Sequence, residues 1–153
     1  DERADTFDYR AQLLENSMIL IKKNPLFGDV NYLNTSEMEA MRQGQGIIDI
    51  VNTYIGIALP YGLIALLIFI GVFISLVLDC RKIFKRKTCD EDVKLMGRIL
   101  VACITGVMFT IFTVSSISYI PSLYWVLISL SACYVNIHLK TKTTNLGASQ
   151  LQT

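Results

Sequence analysis

The sequence has little from which to build a soluble catalytic centre. It contains one histidine among 153 residues, and it lacks the common nucleotide-binding, nucleophile-elbow and metalloprotease motifs. The histidine, His138, lies beside Lys140 at the end of an apolar run, where a lone histidine is more often an interfacial residue than a ligand. The four cysteines match no zinc spacing and are expected to be reduced packing residues. We therefore expect neither a metal nor a cofactor.

Charge is also missing from a long stretch of the chain. The 25 residues from 54 to 78 carry no charge, and at ~1.5 Å per residue they are long enough to cross a ~30 Å hydrocarbon core. Residues 99–116 and 123–139 predict two shorter spans that form a hairpin, with Tyr124 and Trp125 at the membrane interface. The predicted fold class is all-α. We expect a polytopic integral membrane protein in which an extracytoplasmic loop with an amphipathic helix precedes three transmembrane helices.

The distribution of basic residues predicts the orientation of these spans. The loop 79–98 holds seven lysines and arginines, which places it in the cytoplasm under the positive-inside rule. Its position beside the membrane accounts for this charge, so we expect no nucleic-acid partner. The polar tail 140–153 is predicted to be disordered and cytoplasmic. Residues 1–50 then lie outside the cytoplasm, residues 51–139 form the membrane part, and at least one further span is expected before Asp1.

The extracytoplasmic region is predicted to contain one long helix and one short helix. Residues 8–23 read as an amphipathic helix, with an apolar face made of Leu13, Leu14, Met18 and Ile21. Proline disfavours the α conformation of the preceding residue, so the helix should end before Pro25. A short helix is expected near residues 36–42, where a serine followed three residues later by a glutamate fits a capping box.

Basic side chains in this region are candidates for binding a phosphate. They are Arg10, Lys22, Lys23 and Arg42. Arginine presents a fixed fork of donors that suits phosphate oxygens and stays charged at any working pH. The alternative is a solvated helix face whose basic ends extend toward water.

Two polar residues stand at the entrance of the first span. Asp49 and Asn52 are three positions apart and would share a face if the helix had already begun. A carboxylate there is costly unless it is paired or lines a polar cavity. Asp49 could therefore act as a base toward a sugar hydroxyl or bind sugar hydroxyls. The alternative is a helix-start residue favoured by the helix dipole.

The order of several segments resembles a known family. Residues 8–29 read DYRAQLLENSMILIKKNPLFGD, and residues 46–70 read GIIDIVNTYIGIALPYGLIALLIFI. Together they are similar to the C-terminal part of the O-antigen ligase and O-antigen polymerase superfamily. Its members carry an arginine on an external helix, an N/H-P-L-x-G turn, and an H-N-x-Y-L segment that leads into a membrane helix. The resemblance covers residues 8–78.

The resemblance implies an enzyme and assigns roles to the candidates. It implies an inner-membrane glycosyltransferase that joins undecaprenyl-diphosphate-linked repeat units into O-antigen or exopolysaccharide. Arg10 corresponds to the arginine that contacts the diphosphate, and Tyr54 falls within the Asn-x-Tyr segment as a further substrate-binding candidate. Members need no nucleotide sugar. A chain-length regulator and a flippase are possible protein partners. The piece of chain given by this sequence is not expected to be active alone.

One departure from the family pattern selects between its branches. Ligases carry a histidine before the asparagine, whereas this sequence has Val51, which cannot accept a proton. The polymerase branch is therefore favoured over a ligase that transfers polymer to lipid A core in lipopolysaccharide. A membrane protein of polysaccharide export without enzymatic activity is the other alternative.

Overall fold

The structure, a computed structural model, describes residues 2–42, 48, 50, 52–87, 89–114 and 119–150. Every regular element in these ranges is helical, which confirms the all-α prediction. The α-helices are α1 (Glu2–Lys23), α2 (Ser36–Glu39), α3 (Thr53–Phe84), α4 (Glu91–Thr113) and α5 (Ile120–Gln150), and a 3-10 turn covers Tyr32–Asn34.

Three of these helices are long and apolar enough to cross a membrane: Thr53–Phe84, Glu91–Thr113 and, within α5, Ile120–Leu139. Few residues in the most apolar stretch of each helix are buried, as expected where lipid rather than protein surrounds a helix. The number of spans agrees with the sequence prediction. The orientation and the choice of membrane remain predictions.

The backbone of α5 continues through Gln150, into the segment for which composition favours disorder. Propagation of an existing helix needs only one further hydrogen bond per residue, so a polar tail can extend a helix that is already formed.

The residues divide into two compact units. The first unit contains Asp1–Ile70 and Thr110–Ser118, and the second contains Gly71–Phe109 and Tyr119–Thr153. Each unit has its own cluster of buried residues.

The core of the first unit joins α1 to the following loop and to the start of α3. Its buried members are Leu13, Leu20, Met38, Met41 and Leu59. Full burial of such a side chain stabilises a water-exposed region by about 1.5–3 kcal/mol. The tyrosine hydroxyl of Tyr9 also donates to the carbonyl oxygen of Met41 at 3.2 Å.

The buried face of α1 differs from the predicted face. Leu13 is buried and Ile21 is half-buried, but Leu14 and Met18 are about half exposed. The buried positions are instead Leu13, Ser17 and Leu20, which recur at helical spacing. The helix has apolar residues on more than one face, and the packing partners select which face is covered.

The predicted capping box at α2 is wrong. The residue before the helix is Thr35, and no side chain caps the helix there. The Ser36 hydroxyl donates to a carboxylate oxygen of Glu37, and Glu39 pairs with Arg42. Ser36 is itself the first helical residue, so its hydroxyl cannot serve as the cap.

A backbone bridge joins the turn after α1 to a break inside α3. Gly62 has φ 78° and ψ 179°, which interrupts the helix. In a regular helix the Leu63 N–H would donate to the Leu59 carbonyl. Here the Leu63 N–H donates to the Pro25 carbonyl at 2.8 Å, and the Leu59 carbonyl accepts from the Asp29 N–H at 2.8 Å. The turn therefore supplies hydrogen-bond partners for the Leu63 N–H and the Leu59 carbonyl, which lose each other at the break.

Glycine makes this bridge possible. Gly28 also has a positive φ of 68°, a region that side-chain-bearing residues rarely adopt. A Cβ atom on Gly28 would lie 2.6 Å from the Gly62 nitrogen, and one on Gly62 would lie 2.6 Å from the Phe27 nitrogen. The two backbones approach so closely that neither position has room for a side chain.

The second unit packs tightly around a tyrosine. Its buried cluster contains Cys80, Ile83, Leu100 and Tyr134. The Tyr134 hydroxyl donates to the Val93 carbonyl at 2.9 Å. Gly97 leaves the space that this hydroxyl occupies, since a Cβ atom there would lie 2.5 Å from the hydroxyl oxygen. Small residues commonly allow such close packing between membrane helices.

Candidate functional site

A cleft in the first unit brings together two of the predicted site residues, Arg10 and Asn52. Its volume is about 280 Å³. Its walls are mostly apolar, with four polar side chains among them. The lining residues are Arg10, Leu13, Leu14, Ser17, Ile50, Asn52, Ile55, Phe112 and Thr113.

One wall of the cleft is a face of α1. Arg10, Leu13, Leu14 and Ser17 share this face because they are separated by three, four and seven positions. Leu13 and Ser17 are buried, and the Ser17 hydroxyl donates to the Leu13 carbonyl at 2.6 Å. Ser17 therefore has its hydrogen bond within the helix.

The guanidinium of Arg10 is the charged group of the cleft. The side chain is exposed, and no carboxylate among the described residues forms an ion pair with it. A guanidinium without an ion-pair partner keeps its donors for an anionic ligand. Arg10 therefore lies on α1 beside an apolar surface, with its guanidinium accessible to a ligand.

Asn52 has a structural role that the sequence prediction did not assign. Its Oδ1 accepts from the Tyr54 N–H at 2.9 Å and from the Ile55 N–H at 3.4 Å, as an N-cap residue does. The helix begins at Thr53, so Asn52 lies before it. The predicted face shared with Asp49 required that the helix had already begun at Asn52, and it has not. The amide nitrogen of Asn52 is the part that can still donate to a ligand.

The opposite wall comes from the end of α4. Phe112 and Thr113 line it, and the ring of Phe112 lies 6.3 Å from that of Tyr54 between centroids. The Thr53 hydroxyl donates to the Val114 carbonyl at 3.0 Å and connects the two helix ends. Tyr54 thus supports the cleft through Phe112 without lining it. Sequence analysis missed Phe112 and Thr113, because no local pattern reports contact with residues about 60 positions earlier.

The other basic candidates lie outside this cleft. Lys23 pairs with Glu37, and the hydrogen bond from Lys23 lowers the pKa of that carboxyl to about 2. Arg42 pairs with Glu39 at 2.9 Å, and its pKa is raised by that hydrogen bond. Lys22 is exposed on the last turn of α1. The structure therefore separates Arg10 from these three residues, and their part in binding remains a prediction.

Asp49 and Val51 lie outside the described residues. Their neighbour Ile50 lines the cleft. The proposed role of Asp49 remains a prediction.

Metal ligands do not gather anywhere in the described residues. No group of three or more histidine, cysteine, aspartate or glutamate side chains there could hold a metal ion. His138 packs edge-on against Tyr134 at 4.9 Å between centroids, and its carbonyl accepts from Arg86. Both contacts are structural and lie within the second unit.

The composition of the cleft fits an amphiphile with an anionic group. Leu14, Ile55 and Phe112 can contact an apolar chain, while the guanidinium of Arg10 can hold a phosphate. Among the described lining residues there is no carboxylate or histidine that could accept a proton. The cleft is thus equipped for binding and for charge stabilisation.

Comparison with known proteins adds no assignment to this geometry. No protein-family model, no curated protein and no solved structure matches the chain. The resemblance to the O-antigen ligase and polymerase superfamily therefore remains a prediction based on the residues that carry it.

Proposed function

We propose that the chain is the C-terminal part of a membrane glycosyltransferase that polymerises undecaprenyl-diphosphate-linked oligosaccharide repeat units. The observation that carries the proposal is the position of Arg10. It is an arginine without a described ion-pair partner, at an apolar cleft beside the first residues of a helix long enough to cross a membrane. A lipid-linked diphosphate combines the apolar chain and the negative charge that this cleft can bind.

The reaction forms one glycosidic bond and breaks one bond to diphosphate. A hydroxyl of the acceptor sugar attacks the anomeric carbon of the donor chain, and the lipid diphosphate leaves with the bonding electron pair. The hydroxyl proton passes to a base. Arg10 stabilises the negative charge that gathers on the departing diphosphate. The amide nitrogen of Asn52 donates to the substrate, and Asp49 is our candidate for the base.

The proposal includes a location and partners. The protein would lie in the bacterial inner membrane, with residues 1–50 outside the cytoplasm and the C-terminus inside. Seven basic residues in the loop 79–98 support this orientation. A flippase would supply the lipid-linked units, and a chain-length regulator would act on the product.

The test is a binding and polymerisation assay on Arg10→Ala. Loss of a charge-assisted hydrogen bond removes about 1.5–3 kcal/mol, so undecaprenyl diphosphate should bind about ten- to a hundredfold more weakly. Binding is measured by native mass spectrometry on the purified full-length protein, and polymer length is measured in cells. Arg10→Lys should recover only part of the affinity, because an ammonium lacks the fork of donors.

Arg81→Gln is the matched control. It removes one exposed positive charge from the last turn of α3, in the second unit. If Arg81→Gln weakens binding as much as Arg10→Ala does, the effect is general surface charge and the proposed role of Arg10 is wrong. Normal long-chain polymer from Arg10→Ala at normal protein levels would also reject it.

A second candidate is a protein that binds the lipid phosphate without catalysis. The absence of a proton acceptor among the described cleft residues favours it. Asp49→Asn separates the two. If Asp49→Asn abolishes polymerisation but still binds the lipid, the result supports the enzymatic function. If polymerisation is unchanged, Asp49 is not the base. If the protein were a ligase, cells that lack it would instead contain lipid A core without attached polymer.

A further inference from the structure

The turn after α1 exposes large apolar side chains to its surroundings. The exposed fractions are 56% for Leu26, 77% for Phe27 and 73% for Val30. Apolar side chains clustered this way on a short turn are unfavourable in water and commonly mark a surface that another apolar phase covers. We refer to residues 25–30 as the 25–30 turn.

The 25–30 turn has a fixed level along α3. Its end is attached by the hydrogen bond from Asp29 to Leu59, and its beginning by the hydrogen bond from Leu63 to Pro25. The Cβ position of Gly62 also lies against the Leu26 carbonyl and 2.6 Å from the Phe27 nitrogen. Leu26 and Phe27 therefore lie beside the segment between Leu59 and Leu63.

If the hydrocarbon core ends at Leu78, this level lies at its other edge. A membrane-spanning helix needs about 20 residues to cross the core, and counting back from Leu78, the last uncharged residue, reaches Leu59. The charged residue of the turn, Asp29, is bonded at that boundary. Leu26 and Phe27 lie against Gly62, on the side of Leu59 that leads into the uncharged stretch of α3.

The surroundings of the turn agree with this depth. On α3, the neighbouring side chains of Tyr61, Leu63 and Ile64 are exposed and continue the apolar surface of the helix. Backbone polar groups near the hydrocarbon core need partners within the protein, because lipid tails offer none. The bridge supplies such partners for Leu59 and Leu63.

We propose that the 25–30 turn inserts into the leaflet next to the Thr53 end of α3, with Leu26 and Phe27 among the lipid acyl chains. The occupant of this apolar surface is ordinary phospholipid, and the turn serves as an anchor that holds the end of α1 at the membrane surface. The insertion of the turn requires neither Arg10 nor any reaction, so it is independent of the proposed function.

Tryptophan fluorescence tests the insertion. The one tryptophan of this 153-residue sequence is first removed by Trp125→Phe, and any tryptophan elsewhere in the full-length protein is replaced by phenylalanine as well. Phe27→Trp then places the only indole on the turn. The full-length protein is reconstituted in phosphatidylcholine vesicles with or without bromine on the acyl chains. We expect a blue-shifted emission, strong quenching by the brominated lipid and weak quenching by aqueous iodide.

Glu15→Trp in the same background is the matched control. Glu15 is exposed on α1 and is not part of the turn. We expect its indole to emit at longer wavelength and to be quenched mainly by iodide. Leu26→Trp provides a second probe of the turn in case Phe27→Trp folds poorly, and it should behave as Phe27→Trp does.

Two results would overturn the proposal. Iodide quenching of Phe27→Trp that equals that of Glu15→Trp would place the turn in water. A blue-shifted emission that neither iodide nor brominated lipid quenches would mean that protein covers the turn instead of lipid. Loss of undecaprenyl diphosphate binding by Arg10→Ala bears on neither result.

Discussion

Replacing Gly62 by alanine should open the bridge between the 25–30 turn and α3. Gly62 combines φ 78° with ψ 179°, a region that is essentially restricted to glycine, and a non-glycine residue held there costs about 2 kcal/mol. The added Cβ would also collide with the Leu26 carbonyl. The collision separates the partners of the two bridging hydrogen bonds, each of which contributes about 1 kcal/mol. The expected loss of local stability is about 4 kcal/mol, the sum of these contributions.

Hydrogen exchange measures this loss at the affected atoms. The amides of Asp29 and Leu63 are the donors of the bridge, so their protection reports its opening. A change of about 4 kcal/mol corresponds to roughly a thousandfold faster exchange. Mass spectrometry of peptides that contain these residues, from protein in detergent micelles, provides the measurement.

Gly56→Ala is the control in the same helix and the same unit. A Cβ atom on Gly56 would have no neighbour within 4 Å. Alanine there should leave the bridge intact and favour the helix by up to about 1 kcal/mol. If Asp29 and Leu63 exchange as slowly in Gly62→Ala as in Gly56→Ala, the bridge does not depend on glycine and our account of the break is wrong.

Two further predictions concern contacts outside the bridge. The pKa of Glu37 is lowered to about 2 by the hydrogen bond from Lys23, so this pair stabilises the fold above about pH 4.5, the ordinary pKa of the carboxyl, and loses its effect as the pH falls toward 2. The stability difference between the natural protein and Lys23→Gln should therefore shrink to zero over that range in acid-unfolding experiments, and a difference that is independent of pH would contradict it. In the second unit, Tyr134→Phe removes the hydrogen bond to Val93 and should lower the free energy of unfolding in detergent by about 0.5–1.5 kcal/mol. Tyr119→Phe, at an exposed position, should have no effect, and equal effects of the two variants would show that the hydrogen bond is not the cause.

The membrane part of the fold could be predicted from the sequence because its signal is one-dimensional. A helix crosses a bilayer when enough consecutive residues are apolar, so the uncharged stretch 54–78 already indicates a span. The end of α1 could also be predicted from the sequence, because Pro25 restricts the conformation of the residue before it. In the structure the helix ends at Lys23. These properties depend on neighbours in the chain and need no knowledge of packing.

The candidate site could be predicted only in part. Arginine chemistry pointed to Arg10, and the structure places this residue at a cleft with Asn52. The local pattern could not show that Phe112 forms the opposite wall, nor that the side-chain oxygen of Asn52 caps α3. Lys23 was also a candidate, and only the structure shows that it pairs with Glu37 and lies outside the cleft.

The sequence by itself determined that this is a helical chain with three segments able to cross a membrane and a polar region before them. Tertiary structure decided which face of α1 is buried, which basic residue stands at the cleft, and why Gly28 and Gly62 occur where they do. The two glycines are 34 positions apart. A side chain on either one would collide with the backbone of the segment that contains the other. Hydropathy is a property of single residues summed along the chain, whereas close approach and hydrogen-bond pairing belong to two segments at once and exist only when the chain has folded.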